Sequence, residues 1–370
     1  MSFNSIVSRL VRHRTARLEK KITALRRNKT RAAEWLAILR KRKLYQHIRW
    51  TKEQTAAFAQ FWLENYGKKI PDRWHKLYEA SSGRFAVDYI PEILYTTKIE
   101  PTMNDYRYAD VLEDKFLVET LCGGLPCIAP KSVVLCSAGR LYGQDRAALT
   151  RDEAVRLICG RGDLFLKPTT GSSSGRGVTL LPTLSASEAE KLLRQSGPDF
   201  VIQERIRQHP VLEALNPSSV NTIRITTYVL DGQVRHIPIC LRIGRSGRAV
   251  DNIHAGGIGV GVRDDGSLLP VGYELGYGDK TVSHREHPDS RVRFDVVSLP
   301  SMDTVIQSAY QLHGRFPHTG IISWDFSVDP AGTPVFIEAN LSGQGIWFSQ
   351  MIHGKGPFGE DTKAILKLLK

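Results

Sequence analysis

Cysteine is scarce in this sequence: Cys122, Cys127, Cys136, Cys159 and Cys240 are the five in 370 residues, an odd set without a Cys-x-x-Cys pair. That pattern excludes a disulfide framework and a thiolate zinc site, and fits reduced, mostly buried thiols. No stretch reaches the run of roughly 18 apolar residues that a membrane-spanning helix needs. The start, MSFNSIVSRLVRHR, lacks an apolar h-region and a small-residue cleavage site, so the chain reads as cytoplasmic. Internal repeats and low-complexity tracts are also missing. With 41% hydrophobic and 24% charged residues the composition is that of a globular protein, and the length suggests two or three domains.

Acidic residues are nearly absent from one region. Of 51 Lys and Arg, 15 lie in residues 1–50, against only Glu19 and Glu34 of the 38 acids; the remainder holds 36 of each sign. The whole net charge of +13 therefore belongs to an N-terminal arm, which excludes a basic catalytic domain. Val11, Leu18, Ile22, Leu25, Ala32, Leu36 and Leu39 recur at three- and four-residue spacing and predict helix over 3–48. Thr15 and Lys29 interrupt the stripe, favouring one or two amphipathic helices over a long coiled coil. Three readings stand: a helix docked on its own domain with a solvated basic face, attraction to an anionic membrane, or nucleic acid. Near anionic lipid each base contributes about 1 kcal/mol. Nucleic acid ranks last, since interleaved aromatics and groove-reading motifs are absent.

Residues 52–66 continue as helix until Pro71 and the SSG at 81–83 break the pattern. From about residue 100 short strands alternate with helices. Strands are predicted at 132–136, 163–167, 200–204, 222–230, 234–243, 320–328 and 333–340, and helices at 114–122, 151–158, 185–195, 302–313 and 361–369. Hairpins among helices predict an α+β fold, not a purely parallel doubly wound sheet.

The most specific motif is WDFSVDPAGTPVFIEAN, 324–340. Asp329-Pro330-Ala331-Gly332 is a turn between two alternating runs, hence a hairpin. A turn centred between Ala331 and Gly332 sets Asp325 opposite Glu338, with Asn340 two residues along the same face. Two carboxylates and an amide oxygen on one face are costly without a cation between them, and such hard donors suit Mg²⁺ shared with nucleotide phosphates. A solvated polar hairpin face is the alternative; the bulky Trp324, Phe326, Phe336 and Ile337 argue for a sheet covered on both sides.

In LFLKPTTGSSSGRGVTLL, 164–181, a strand delivers Lys167 into the loop Gly171, Ser172, Ser173, Ser174, Gly175, Arg176 and Gly177. Glycines allow successive backbone N–H groups to face one anion, and a strand lysine supplies a point charge for phosphate. With no Gly-Lys-Ser/Thr ending it is not a Walker A loop, and a plain hairpin connection explains it about as well. FVIQERIRQHP presents Gln203, Glu204, Arg205 and Ile206 at a strand-to-hinge step, followed by His209. Asn221 and Arg224 lie on a strand where an arginine would stabilise a transferring phosphoryl group, or simply be salt-bridged. DNIHAGGIGVGV brings Asp251, Asn252, His254, Gly256, Gly257, Gly259 and Gly261, and a lone histidine there is more often structural. Lys115 begins a helix within reach of phosphate.

In that order these residues resemble the ATP-grasp superfamily. The phrases IRQHPVLEALNPSSVNTIRITT, AGGIGVGVRDDG and YGKKIPDRWHKLYEASSG look like its sugar-transfer-associated group. The resemblance implies two α+β subdomains clamping ATP, preceded here by a basic helical region. The implied units are an arm at 1–60, a linker at 61–110, a lid-bearing part at 111–205 and a C-terminal part at 206–370. It further implies that Lys115 and Lys167 bind phosphates under the loop from Gly171 to Gly177, with Glu204 at an adenine hinge. Arg224 would neutralise the γ-phosphate, and Asp325, Glu338 and Asn340 would bind magnesium. His209, Asn252, His254, Gly256, Gly257, Ser342 and Gly343 are candidates for the second substrate. The expected activity is an ADP-forming ligase joining a carboxylate to an amine, with a sugar acid as one candidate substrate. A hydroxyl kinase and a non-catalytic nucleotide-binding scaffold are the alternatives. The arm is expected to hold the protein peripherally at an anionic membrane.

Overall fold

Two antiparallel sheets carry the molecule, as a computed structural model describing residues 3–171, 176–245, 247, 256–274 and 281–369, with the side chains of 3–20 and Asp110 excepted. The smaller contains β1 (Ser132–Ser137), β2 (Arg140–Tyr142), β3 (Ala148–Leu149), β4 (Leu164–Pro168), β5 (Thr179–Leu181) and β6 (Phe200–Glu204), in the order β3-β2-β1-β6-β4-β5. Helices Arg151–Ile158 and Ala186–Gln195 cover it, each opened by a capping box, Thr150 with Glu153 and Ser185 with Glu188. Their Ala154, Ile158, Ala189 and Leu193 pack on Val134, Cys136, Leu164 and Ile202.

The larger sheet comprises β7 (Thr222–Leu230), β8 (Gln233–His236), β9 (Ile239–Ile243), β10 (Ile258–Val262), β11 (Leu268–Glu274), β12 (Val282–His284), β13 (Ile321–Val328) and β14 (Pro334–Asn340). Its order is β12-β11-β10-β9-β7-β13-β14, with β8 pairing β7. Every named pair is antiparallel, so the fold is α+β as expected. The segment 234–243, expected as one strand, breaks at Ile237-Pro238 because proline has no N–H for the ladder. Gly259 and Gly261 lie within β10, where a Cβ at Gly261 would come within 2.5 Å of Leu269 Cδ1, while Gly256 and Gly257 form the turn that enters it.

Alternation along β7, β9 and β13 sends Ile223, Ile225, Leu241, Ile322, Trp324 and Phe326 into the main core beneath helix Met302–His313. The other face carries Arg224, Thr226, Arg242, Ser323 and Asp325. Trp324 is fully buried, and its Nε1 donates to Thr227 Oγ1 at 2.7 Å.

The 324–340 hairpin reaches its expected pairing by an unexpected route. Val328↔Pro334, Ser327↔Val335 and Phe326↔Phe336 are centred on Ala331, a register that would set Asp325 against Ile337 and Glu338 against Trp324. A bulge between Asp325 and Phe326 takes up one residue of β14. Beyond it the pairs are Asp325↔Glu338, Trp324↔Ala339 and Ser323↔Asn340. The bulge thus turns Glu338 from the apolar to the polar face, a usual service of bulges beside functional sites.

The first helix runs Phe3–Arg40 and a second Lys52–Tyr66. Sequence reading left 71–104 without elements; it forms helix Arg73–Ser82 and helical turns from Glu92 to Met103. Trp74, Leu77, Tyr78 and Ser81, buried at helical spacing, were the available signal. Asn104 ties this stretch to β13, donating to the Ile321 and Leu341 carbonyls and accepting from the Gly320 and Ile321 N–H groups. Among the described residues no helix is long and apolar enough to cross a membrane.

Candidate functional site

Arg224, Asp325 and Glu338 form one row across β7, β13 and β14, each opposite the next in register. Asp325 is 1% exposed, and Arg224 binds it bidentately, Nε to Oδ1 at 2.8 Å and Nη2 to Oδ2 at 2.6 Å. Arg242 on β9 adds a third bond, Nη2 to Oδ2 at 2.9 Å. The strand partner of Arg242 on its other side is Gly259, which has no side chain to compete for that face. Burial alone would raise the Asp325 pKa; the two guanidiniums outweigh it and hold the carboxyl below the usual range. Arg242 escaped the sequence reading, although alternation in ICLRI places it with Cys240 opposite Ile239, Leu241 and Ile243.

Lys115 Nζ lies 2.9 Å from Glu338 Oε2, and the backbone N–H of Lys115 donates to Thr169 O at 2.9 Å. Lys167, on β4 of the smaller sheet, donates to Gln203 Oε1 at 3.1 Å. The two sheets therefore meet at a cluster of four cations and two carboxylates, an excess of two positive charges suited to a polyanion. Burial, reinforced by Lys115 and opposed only by Glu338, pushes the Lys167 ammonium down to about 8. An unfolded lysine keeps its proton to ~10.4. Between those values the unfolded chain binds the extra proton, so fold stability rises with pH while affinity for an anion falls. ATP affinity is expected to weaken roughly three- to tenfold from pH 7 to 9, and Lys167→Met to flatten that profile. Equal dissociation constants at both pH values in the parent would refute it.

Several expected site residues lie elsewhere. Asn221 is fully buried; its Nδ2 donates to the Leu212 and Asn216 carbonyls and its backbone N–H to Gln208 Oε1, which ties the 208–221 loop together, while its Oδ1 has no hydrogen-bond partner. His209 caps the short helix Pro210–Leu215 through Nδ1 and the Val211 N–H. The Glu204 carboxylate pairs with Arg161 at 2.6 Å and Lys131 at 3.2 Å. The N–H groups of Glu204 and Arg205, expected at an adenine hinge with Gln203 and Ile206, donate to the Lys131 and Asp163 carbonyls. Gly171 and Gly177 take positive φ at the β4–β5 connection, and Arg176 is exposed there. Ser172, Ser173, Ser174, Gly175, Asp251, Asn252 and His254 fall outside the described residues. Gly257 is buried at the entrance to β10, beside Gly256 at φ 94°.

Oxygen donors for a divalent cation are present in part. Glu338 is accessible and Asn340 stands beside it, its Nδ2 3.4 Å from Ser323 O. Asp325 was expected as a free ligand; both its oxygens are committed to arginine. Among the described residues no group of three or more His, Cys, Asp or Glu could hold a metal. Glu338 and Asn340 remain oxygen donors suited to Mg²⁺, which takes its other positions from phosphate and water.

Past Asn340 the chain turns into Ser342 and Gly343, at the mouth of a groove of ≈ 1570 Å³. Glu113 accepts from the Leu341 N–H at 2.6 Å and Glu100 from the Gln344 N–H at 3.2 Å, which fixes this segment. The groove adjoins the charged row without containing it.

This arrangement of sheets and polar row is the ATP-grasp fold. The family model for sugar-transfer associated ATP-grasp proteins matches residues 95–366, and the chain belongs to that family. Among curated proteins no match is found. Solved structures resembling it include an L-amino acid ligase from Bacillus licheniformis, 13% identical over 66% of this chain and 43% of that one, TM-score 0.36. Others are a D-Ala:D-Ser ligase from Enterococcus faecalis (15%, 72% and 63%, 0.41) and a D-alanine-D-alanine ligase from Coxiella burnetii (14%, 72% and 59%, 0.41). This chain thus spans about half of the first and under two thirds of the others. Likeness of this depth says nothing of what it binds.

Proposed function

We propose that the protein is an ATP- and Mg²⁺-dependent ligase that joins a carboxylate to an amine through an acyl phosphate and releases ADP. The row Arg224–Asp325–Glu338, flanked by Lys115, Lys167 and Arg242, carries this reading: its positive excess suits a triphosphate, and its carboxylates suit the accompanying cation. Lys115 and Lys167 hold phosphates from opposite sheets. Arg224 and Arg242, oriented by Asp325, offer N–H donors where charge develops as the substrate carboxylate oxygen bonds to the γ-phosphorus and ADP leaves. Amine attack on the acyl carbon then expels phosphate, and the amine proton passes to phosphate or solvent. Magnesium held by Glu338 and Asn340 would neutralise phosphate charge.

The groove entered at Ser342 and Gly343 is the proposed seat of the second substrate. One wall is the first helix, through Thr30, Glu34 and Lys41; the opposite wall includes Glu92 and Glu100. Glu92 Oε2 is buried without a hydrogen-bond partner, and burial raises the Glu92 carboxyl well above its usual value. A substrate amine or hydroxyl would satisfy that oxygen. The family's association with sugar transfer is what suggests a sugar acid as the carboxylate.

The test is ADP release from purified protein with ATP, Mg²⁺ and panels of carboxylates and amines. Release that needs both partners, with an amide product, is expected. A stable phosphate ester formed stoichiometrically with ADP would instead make the protein a kinase, and the ligase reading would fail.

A further inference from the structure

A helix docked on its own domain normally turns its apolar stripe inward. The first helix does the reverse. From Thr23 onward its groove-lining residues are Thr23, Arg26, Arg27, Thr30, Glu34, Ala37, Ile38 and Lys41, and of these only Ile38 is a large hydrophobe. Its anchorage lies near its end, where Trp35 and Ile38, with Leu44 and Tyr45 just beyond, pack with Trp74, Leu77 and Tyr78. Ile22, Leu25, Leu36 and Leu39 are 42%, 68%, 54% and 45% exposed. At about 100° per residue they centre about 150° around the helix from the groove-facing side. The spacing continues in sequence through Leu18 and Val11. Exposed Lys21, Lys29 and Arg40 lie within or beside this stripe.

We propose that this outward face docks on an anionic lipid bilayer, with the helix lying in the interface plane and its bases on lipid phosphates. An apolar stripe edged by lysine and arginine is what such a surface takes up, through apolar burial and charge together. A second copy of the chain fits less well. Two such stripes face to face would bring Lys21, Lys29 and Arg40 against their own counterparts. The arm's acids are only Glu19 and Glu34, and Glu34 is turned to the groove. A nucleic-acid backbone would engage the bases but leave the apolar stripe in water. The inference is independent of the reaction performed in the cleft.

The experiment is co-sedimentation of the full chain with mixed phosphatidylglycerol–phosphatidylcholine vesicles and with phosphatidylcholine vesicles alone. Binding to the anionic vesicles is expected, with little to phosphatidylcholine. L25E/L36E is expected to weaken it at least about tenfold at an unchanged unfolding midpoint, and raised salt to weaken it further. Both positions are exposed, so the substitutions leave the core intact. Undiminished binding by the variant, equal binding to both vesicle types, or a dimer in solution that L25E/L36E dissociates would each overturn the proposal. So would duplex nucleic-acid binding that the variant abolishes while vesicles stay unbound.

Discussion

Asp325→Asn is expected to lower fold stability by about 3–5 kcal/mol, the usual cost of removing one partner from a buried ion pair. Asparagine preserves the shape but removes the charge that holds two mostly buried guanidiniums, Arg224 and Arg242, side by side. It offers one acceptor oxygen where three bonds now end. Denaturant unfolding with an unchanged m-value would measure the loss, and a change below ~1 kcal/mol would refute the argument. Replacing both ends, as in R224L/D325L, should restore part of the stability, because Arg224 is removed together with its partner, although Arg242 still loses its bond to Asp325. Turnover should stay abolished in both variants, since the proposed phosphate-facing arginine is misplaced or missing. The same pairing sets an acid limit. A carboxyl held below its unfolded pKa of ~3.9 stabilises fully above that value, and the contribution is lost as pH falls through its lower folded value.

Glu338→Gln should separate chemistry from stability. Glu338 stands at the accessible end of the row, and glutamine keeps an oxygen for Lys115 while losing the charge for a cation. A loss of about 10²–10³ in turnover is expected, comparable with removing one group that stabilises developing charge. Stability should change by no more than ~1 kcal/mol, in keeping with a partly exposed pair. ADP release measured across a magnesium titration reads this directly. Turnover within threefold of the parent at all magnesium concentrations would remove Glu338 from the proposed site.

The strands that build the site were legible because their patterns are local. Alternation and turn residues marked 200–204 and 222–230, which match β6 and β7 to the residue, and placed the ends of the 324–340 hairpin within one residue. The same local reading could not tell that Gly261 is a strand position, since its need for a small residue arises from Leu269 and His353 packing across it. Nor does anything nearby in sequence reveal that the Asn221 Nδ2 is bonded inside its own loop, which leaves only its Oδ1 without a partner.

By itself the sequence determined which residue types the site would contain, which strands carry them, and that the excess charge lies on the arm. These follow from side-chain periodicity and composition, which operate over a few residues. Tertiary structure decided three further matters. A bulge, not the turn alone, brought Glu338 to the face of Asp325. The adjacency of β9, β7 and β13 delivered Arg242 and Arg224 to one carboxylate from far apart in the chain. The docking of the first helix through Ile38 and its polar side turned the apolar stripe outward. Each depends on contacts between distant segments, and a periodic pattern specifies only that a face exists, not what it will meet.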